Sequence, residues 1–246
     1  MDSVGGRRAA RKLDAVVSGV GVVDKAVAIL GAVAELGMAS LNDLVEATGF
    51  ARPTVHRLAV ALEDHALLGR DASGQFHLGL RLLAWGARAG TAVELVDAAR
   101  PILAELRDAT GESAQLYVRE EDRRVCVAAS ERPSGLRDTV PIGASLALTA
   151  GSGASVLVAW ADDADRFGLP PARLASVRRR GWAASVGERE PGVASVSAPV
   201  RDPSGAVVAA ISVSGPIDRL GRQPGRRLAA RVQAAAKALE RRVWTG

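Results

Sequence analysis

Residues 40–77 read SLNDLVEATGFARPTVHRLAVALEDHALLGRDASGQFH. Ser40 is a good N-cap for a helix over residues 41–47, and Asp43 falls near its positive end. Thr48-Gly49-Phe50 breaks the chain. Pro53 suits the first turn of a second helix, where its missing N–H leaves no bond unmade; that helix runs to about Asp64. Two short apolar runs, residues 67–70 and 75–78, flank the turn-rich Asp71-Ala72-Ser73-Gly74. Helix, tight turn, helix and hairpin together predict a winged helix-turn-helix, a shape that fits the DNA major groove.

The second helix carries the candidate readers. Between residues 51 and 62 there are two arginines, one histidine and no acid. Arg52, Thr54 and His56 lie near its start, beside Pro53, where such helices meet base edges, and Arg57 is better placed for a phosphate. An arginine pair on a helix is more often a solvated face. The turn, the proline start and the hairpin all agree here, which favours DNA. In the hairpin, Arg70, Gln75 and His77 either touch phosphates and the minor groove or simply decorate an exposed loop. The first 18 residues, with Arg7, Arg8, Arg11 and Lys12, read as a flexible basic arm that threads a minor groove or is a loose terminus.

Working outward, 246 residues are comfortable for two domains, and 48% hydrophobic with 24% charged residues is ordinary for a globular chain. No apolar run is long enough for a membrane span, and the start lacks the apolar stretch of a secretory signal, so no membrane partner and a cytoplasmic location are expected. The net charge of +5 does not single out a DNA-binding half: residues 1–90 hold 10 Lys and Arg against 9 Asp and Glu, and the rest holds 22 against 18.

Apolar spacing predicts a helix over 22–36 closed by Gly37, and a linker helix over 80–89 before a boundary at Gly90. A helix over 91–109 follows, in which Pro101 should start a new segment or impose a kink. Strands are expected at 113–119 and 124–129, with a further short one at 139–143. Helices are expected at 150–160 and 171–180, strands at 193–200 and 206–213, and a closing amphipathic helix at 226–243. The class is α+β with two domains. The divisions are an arm (1–18), a DNA-binding domain (19–79), a linker helix (80–90) and a sensor-like α+β domain (91–246), to which the resemblance given below assigns effector binding and oligomerisation.

Residues 91–246 contain no histidine and one cysteine, Cys126. A Ser-His-Asp or Cys-His arrangement within that stretch is therefore impossible, as is a His-based metal site. The single cysteine also rules out an internal disulfide. His56, His65 and His77 lie 9 and 12 residues apart, which matches no compact ligand motif. Neither a metal nor a cofactor is expected. Glu188 and Glu190, beside Arg189, read as a solvated loop rather than an acid–base pair. Gly151-Ser152-Gly153 lacks the lysine and spacing of a phosphate loop. It reads as a close backbone approach at a helix start that suits a small anion. Ser195 and Ser197 share one strand face, as do Ser212 and Ser214; they either line a polar pocket or make room for helices.

Taken together, the chain resembles the IclR family of transcriptional regulators from about residue 19 to 242. The similar stretches are GVVDKAVAIL, SLNDLVEATGFARPTVHRLAVAL and FHLGLRLL. To these are added ESAQLYVRE, RRVCVAASERPSGLRDTVPIGASLALTAGSGASVLVAW and GWAASVGEREPGVASVSAPVRDPSGAVVAAISVSGPIDRL. Within the family it looks similar to actinobacterial members that control leucine-biosynthesis genes. The resemblance implies a winged-helix domain, a linker helix and a profilin-like, GAF-related α/β effector-binding domain. It implies a regulator that is not an enzyme and that binds a palindromic double-stranded operator as a homodimer or tetramer. It also implies a small-molecule effector, an amino acid or carboxylate, held by Leu136, Ser152, Gly153, Ser185, Ser195, Ser212 and Ser214. The alternative is a small-molecule-binding module without sequence-specific DNA binding.

Overall fold

The computed structural model describes residues 20–86 and 91–244. The chain divides into two compact units, Met1–Gly90 and Thr91–Gly246, each with its own core. The expected basic arm and the end of the expected linker helix lie outside the described residues. Among the described residues no helix is long and apolar enough to cross a membrane.

In the first unit, α1 (Gly21–Leu36), α2 (Leu41–Thr48) and α3 (Arg52–Asp64) pack on one another, and β1 (Leu68–Arg70) pairs antiparallel with β2 (Phe76–Leu78). Local chemistry places each joint. Ser40 and Asp43 close a capping box at the start of α2: the Asp43 N–H donates to Ser40 Oγ at 3.2 Å, and the Ser40 N–H donates to Asp43 Oδ2 at 2.8 Å. Gly49 takes the left-handed conformation (φ 68°) that ends α2 and turns the chain into α3. At the hairpin tip Asp71 Oδ1 accepts from the N–H groups of Ser73 and Gln75. Ile29, Val33, Leu44, Val55, Leu58, Leu62, Leu68 and Phe76 fill the core. Helix α4 (Leu80–Gly86) follows.

The second unit is a six-stranded antiparallel sheet in the order β5-β4-β3-β8-β7-β6 with helices on both faces. Its strands are β3 (Ser113–Glu120), β4 (Arg123–Ser130), β5 (Ser145–Ala147), β6 (Ala183–Val186), β7 (Val193–Arg201) and β8 (Val207–Pro216). One face is apolar: Leu116, Ala128, Ala194, Val196, Ala198, Ile211 and Val213 pack beneath α5 (Thr91–Thr110) and α9 (Gly225–Trp244). The short α8 (Ile217–Leu220) joins this layer. The other face lies under α6 (Ser152–Val158) and α7 (Pro171–Arg180).

Four points differ from or narrow the sequence reading. Of the two outcomes expected at Pro101, the new segment does not occur: helix α5 runs 20 residues through it. Burial of Ala99, Ile102, Leu103 and Leu106 on the sheet outweighs the one hydrogen bond that proline removes. Residues 139–143 form no strand. Pro141 has no N–H to donate there, and Ile142–Gly143 turns the chain so that the strand starts at Ser145. Residues 183–186 pair with β7 as the edge strand β6, which the sequence reading passed over. Glu188 is no freely solvated loop residue: its carboxylate accepts from the Gly151 N–H at 3.1 Å and from Arg173 at 2.7 Å.

Candidate functional site

Helix α3 buries Val55, Leu58, Ala59 and Leu62 and leaves Arg52, Pro53, His56 and Arg57 exposed. Thr54 is half-buried, and its N–H closes the first turn on the Ala51 carbonyl at 2.8 Å. The apolar stripe thus turns a basic face outward, and the acids Glu63 and Asp64 come only at its end. Arg52 reaches across to Asn42 Oδ1 on α2, a tie that steadies the guanidinium at the helix start. In the hairpin, Arg70 is engaged by Glu63 at 2.9 Å and lies 4.4 Å from the centre of the Phe76 ring. His77 Nδ1 sits 3.0 Å from its neighbour's carbonyl, and Gln75 is half-buried.

The second unit holds a small polar cavity over the other sheet face, with Ser152 at its floor. Ser152 Oγ lies 2.6 Å from Ser195 Oγ and 2.7 Å from Ser197 Oγ. The chain of hydroxyls extends to Ser185, 3.0 Å from Ser195, and to Ser212, 2.9 Å from Ser197. Ser214 donates to Gln115 Oε1 at 3.2 Å. Strand register explains the cluster: Ser185 stands opposite Ser195, Ser195 opposite Ser214, and Ser197 opposite Ser212. Gly151 (φ 95°) brings the start of α6 down onto this row. The space left is about 20 Å³, room for roughly one water.

Ser152, Gly153, Ser185, Ser195, Ser212 and Ser214 all line the cavity, as expected by position. Leu136 does not: it is 72% exposed on the loop before β5, with its carbonyl held by Arg219. Tyr117, Arg124, Asp138, Arg189 and Glu190 line it and were not anticipated there. Arg124 had a signal, a charge inside an apolar strand. Asp138 and Arg189 are loop residues 51 positions apart, and no local pattern links them.

Arg189 donates to both carboxylate oxygens of Asp138, at 2.7 and 2.8 Å. Burial alone would pull this guanidinium's pKa down, but the charge and hydrogen bonds of Asp138 carry it up. Arg124 is pulled down to about 10 by burial, which still leaves it charged at neutral pH. Burial also raises the Tyr117 phenol, so it stays protonated.

Cys126 lies under the same face, and burial pushes its thiol up to about 12. The unfolded chain ionises near the ordinary 9.0, so this group's stabilisation is full below that pH and fades toward 12. We expect native Cys126 to resist a thiol reagent at mildly alkaline pH and to react fully in denaturant. Rapid labelling of the folded chain would contradict this burial.

The sequence pattern of the IclR helix-turn-helix domain matches residues 22–72, and that of the bacterial transcriptional regulator IclR C-terminal domain matches residues 87–167 and 171–241. The chain is 31% identical over 222 residues to the HTH-type transcriptional regulator BhcR of Paracoccus denitrificans, covering 82% of this chain and 80% of that one. It is 30% identical over 226 residues to the glycerol operon regulatory protein of Streptomyces coelicolor, covering 84% and 89%. Among solved structures, an IclR homolog from Microbacterium hydrocarbonoxydans complexed with 4-hydroxybenzoate superposes with a TM-score of 0.71. The identity is 19%, over 90% of this chain and 98% of that one.

Proposed function

The chain belongs to the IclR family of DNA-binding transcriptional regulators, and from that premise we propose how its residues divide the work. The exposed basic face of α3 is the observation that carries the reading. Arg52, Thr54 and His56, set by Pro53, read base edges. Arg57, and the hairpin's Arg70, Gln75 and His77, contact phosphates. Arg70 reaches a phosphate by exchanging its Glu63 partner.

A second copy of the chain completes the reader. Val20, Val23 and Val27 form an exposed stripe on and just before α1, and Leu80, Leu83 and Trp85 are exposed on and around α4. Apolar surface of that extent favours self-association. A twofold pair of recognition helices about 34 Å apart prefers a palindromic operator. The serine cavity binds the effector, a small carboxylate or amino acid, through Ser152, Gly153, Ser185, Ser195, Ser212 and Ser214. The homolog's 4-hydroxybenzoate shows an acid held by a related fold, but a ring of that size exceeds the space left here. The effector acts only if it favours one dimer arrangement over the other.

For the regulated genes we propose amino-acid biosynthesis, leucine in particular, on the family resemblance. A carbon-source operon is the second reading, favoured by similarity to the Streptomyces glycerol operon regulator.

The test is a fluorescence-anisotropy titration at fixed salt against the chain's own promoter, leucine-biosynthesis promoters and random DNA, with and without leucine and small acids. Arg52→Ala should cost about 1–3 kcal/mol on a specific site and little on random DNA. Arg57→Ala should weaken all sequences alike and flatten the salt dependence. Unchanged affinity in both variants would remove α3 from the interface.

A further inference from the structure

We infer that Arg124 is the charge selector of the serine cavity and that the cavity accepts a compact monoanion, a small carboxylate seated against this guanidinium. The inference rests on the reading of that cavity as the effector site.

Arg124 is a charged side chain only 3% exposed. It donates to the Ala147 carbonyl and lies 5.6 Å from the centre of the Tyr117 ring. Among the described residues no carboxylate stands within ion-pair distance of it. The neighbouring guanidiniums differ: Arg189 has Asp138, and Arg173 has Glu188. A buried charge is expensive unless an opposite charge joins it. The rest of the wall cannot supply one. Serine hydroxyls and the Tyr117 phenol are neutral, and the two carboxylates on the wall, Asp138 and the half-exposed Glu190, both lie against Arg189, Glu190 at 3.6 Å.

The surroundings are shaped for this residue. Between Leu116 and Tyr117 the pairing of β3 with β4 skips Val127, so Leu116 faces Ala128 while Tyr117 faces Cys126. That bulge puts Ala128 on the apolar helix-covered face and turns Cys126 and Arg124 to the opposite one. Glycines pass over the guanidinium. A Cβ on Gly151 would lie 3.2 Å from Arg124 Nη2, and one on Gly153 would lie 3.6 Å from Nε.

The hydroxyls complete the fit. Each serine either donates or accepts, so the chain through Ser152, Ser195 and Ser197 can turn its protons toward an incoming carboxylate oxygen. The present space of about 20 Å³ sets the size. A carboxylate of two or three carbons is larger than this space, so seating one requires the cavity walls to move apart.

Isothermal titration and thermal unfolding of the full chain test this, with lactate and pyruvate set against their neutral amides, lactamide and pyruvamide. The wild-type chain should bind the acids in the millimolar range or tighter, and the amides about tenfold more weakly or worse. Arg124→Met should lose that preference while Arg124→Lys, which keeps the charge, retains it. Should the methionine variant fail to fold, Arg124→Gln takes its place as the neutral probe. Equal binding of amides, a folded neutral variant that keeps the preference, or no binding of either acid overturns the inference. Ser195→Met, which fills the cavity from the far wall, separates the two levels. If it leaves acid binding intact, the cavity is not the effector site. If it blocks binding while the neutral Arg124 variants do not, only the role of Arg124 is lost.

Discussion

Phe76→Ala is expected to abolish DNA binding by unfolding the N-terminal unit, although residue 76 need not touch DNA. Phe76 is 2% exposed and sits where three elements meet. Its N–H and C=O pair with Ala39, which ties the hairpin back to the end of α1, at 2.8 and 2.9 Å. Its ring lies in the core with Leu44, Val55 and Leu68, beneath the Arg70 guanidinium. A Phe-to-Ala change in such a core costs about 3–5 kcal/mol. A unit this small has a total stability of about the same size. Denaturant unfolding followed by two probes should therefore show the N-terminal transition lost and the C-terminal one kept. Operator affinity should fall by about a hundredfold or more. Binding within a few-fold of wild type would show that the hairpin is not integral to the domain.

Arg219→Ala should have the second large effect, this time on the C-terminal unit. The Glu112 carboxylate is buried, with a side chain 4% exposed, and Arg219 meets it with two bonds at 2.6 and 2.7 Å. The same guanidinium holds the Leu136 carbonyl, on the loop that also carries Asp138. Its hydrogen bond to Glu112, with that residue's charge, raises the Arg219 pKa against a smaller loss of hydration. Removing the cation strands a buried carboxylate. The loss should be about 2–3 kcal/mol, below the range for fully buried pairs because Arg219 itself is a third exposed. Adding Glu112→Gln should recover part of it, since the stranded charge is then gone. Chemical denaturation of the single and double variants checks this. A double variant as unstable as the sum of both singles would mean that the pair is not the cause.

How far the sequence could be read depended on the range of each signal. Ser40, Asp43, Gly49 and Pro53 act on backbone groups within a few residues, so helix ends in the first unit were predictable to within one or two positions. Period-two spacing put Ser195 with Ser197 and Ser212 with Ser214, and the register brings both pairs to one face. The edge strand β6 is four residues long between Gly181 and Gly187, too short for its alternation to mark it as a strand; only pairing with β7 defines it. Leu136 and Asp138 lie two positions apart on one loop, yet one is exposed and the other lines the cavity. No periodic rule applies to such a loop, so carrying a contact over by position failed there.

The sequence by itself determined the winged helix-turn-helix, the two-unit α+β division and the serine-lined faces, because caps, turns and side-chain alternation are local properties of the chain. Tertiary structure alone decided the strand order β5-β4-β3-β8-β7-β6, the bulge at Val127 and the Arg189–Asp138 pair. Those features arise when segments tens of residues apart compete for the same hydrogen-bonding edges, and loop closure over such distances depends only weakly on the sequence in between. The consequence is concentrated in one residue. Without the one-residue slip of β4 against β3, Arg124 would share the Ala128 face beneath the helices, and the slip turns it into the cavity instead.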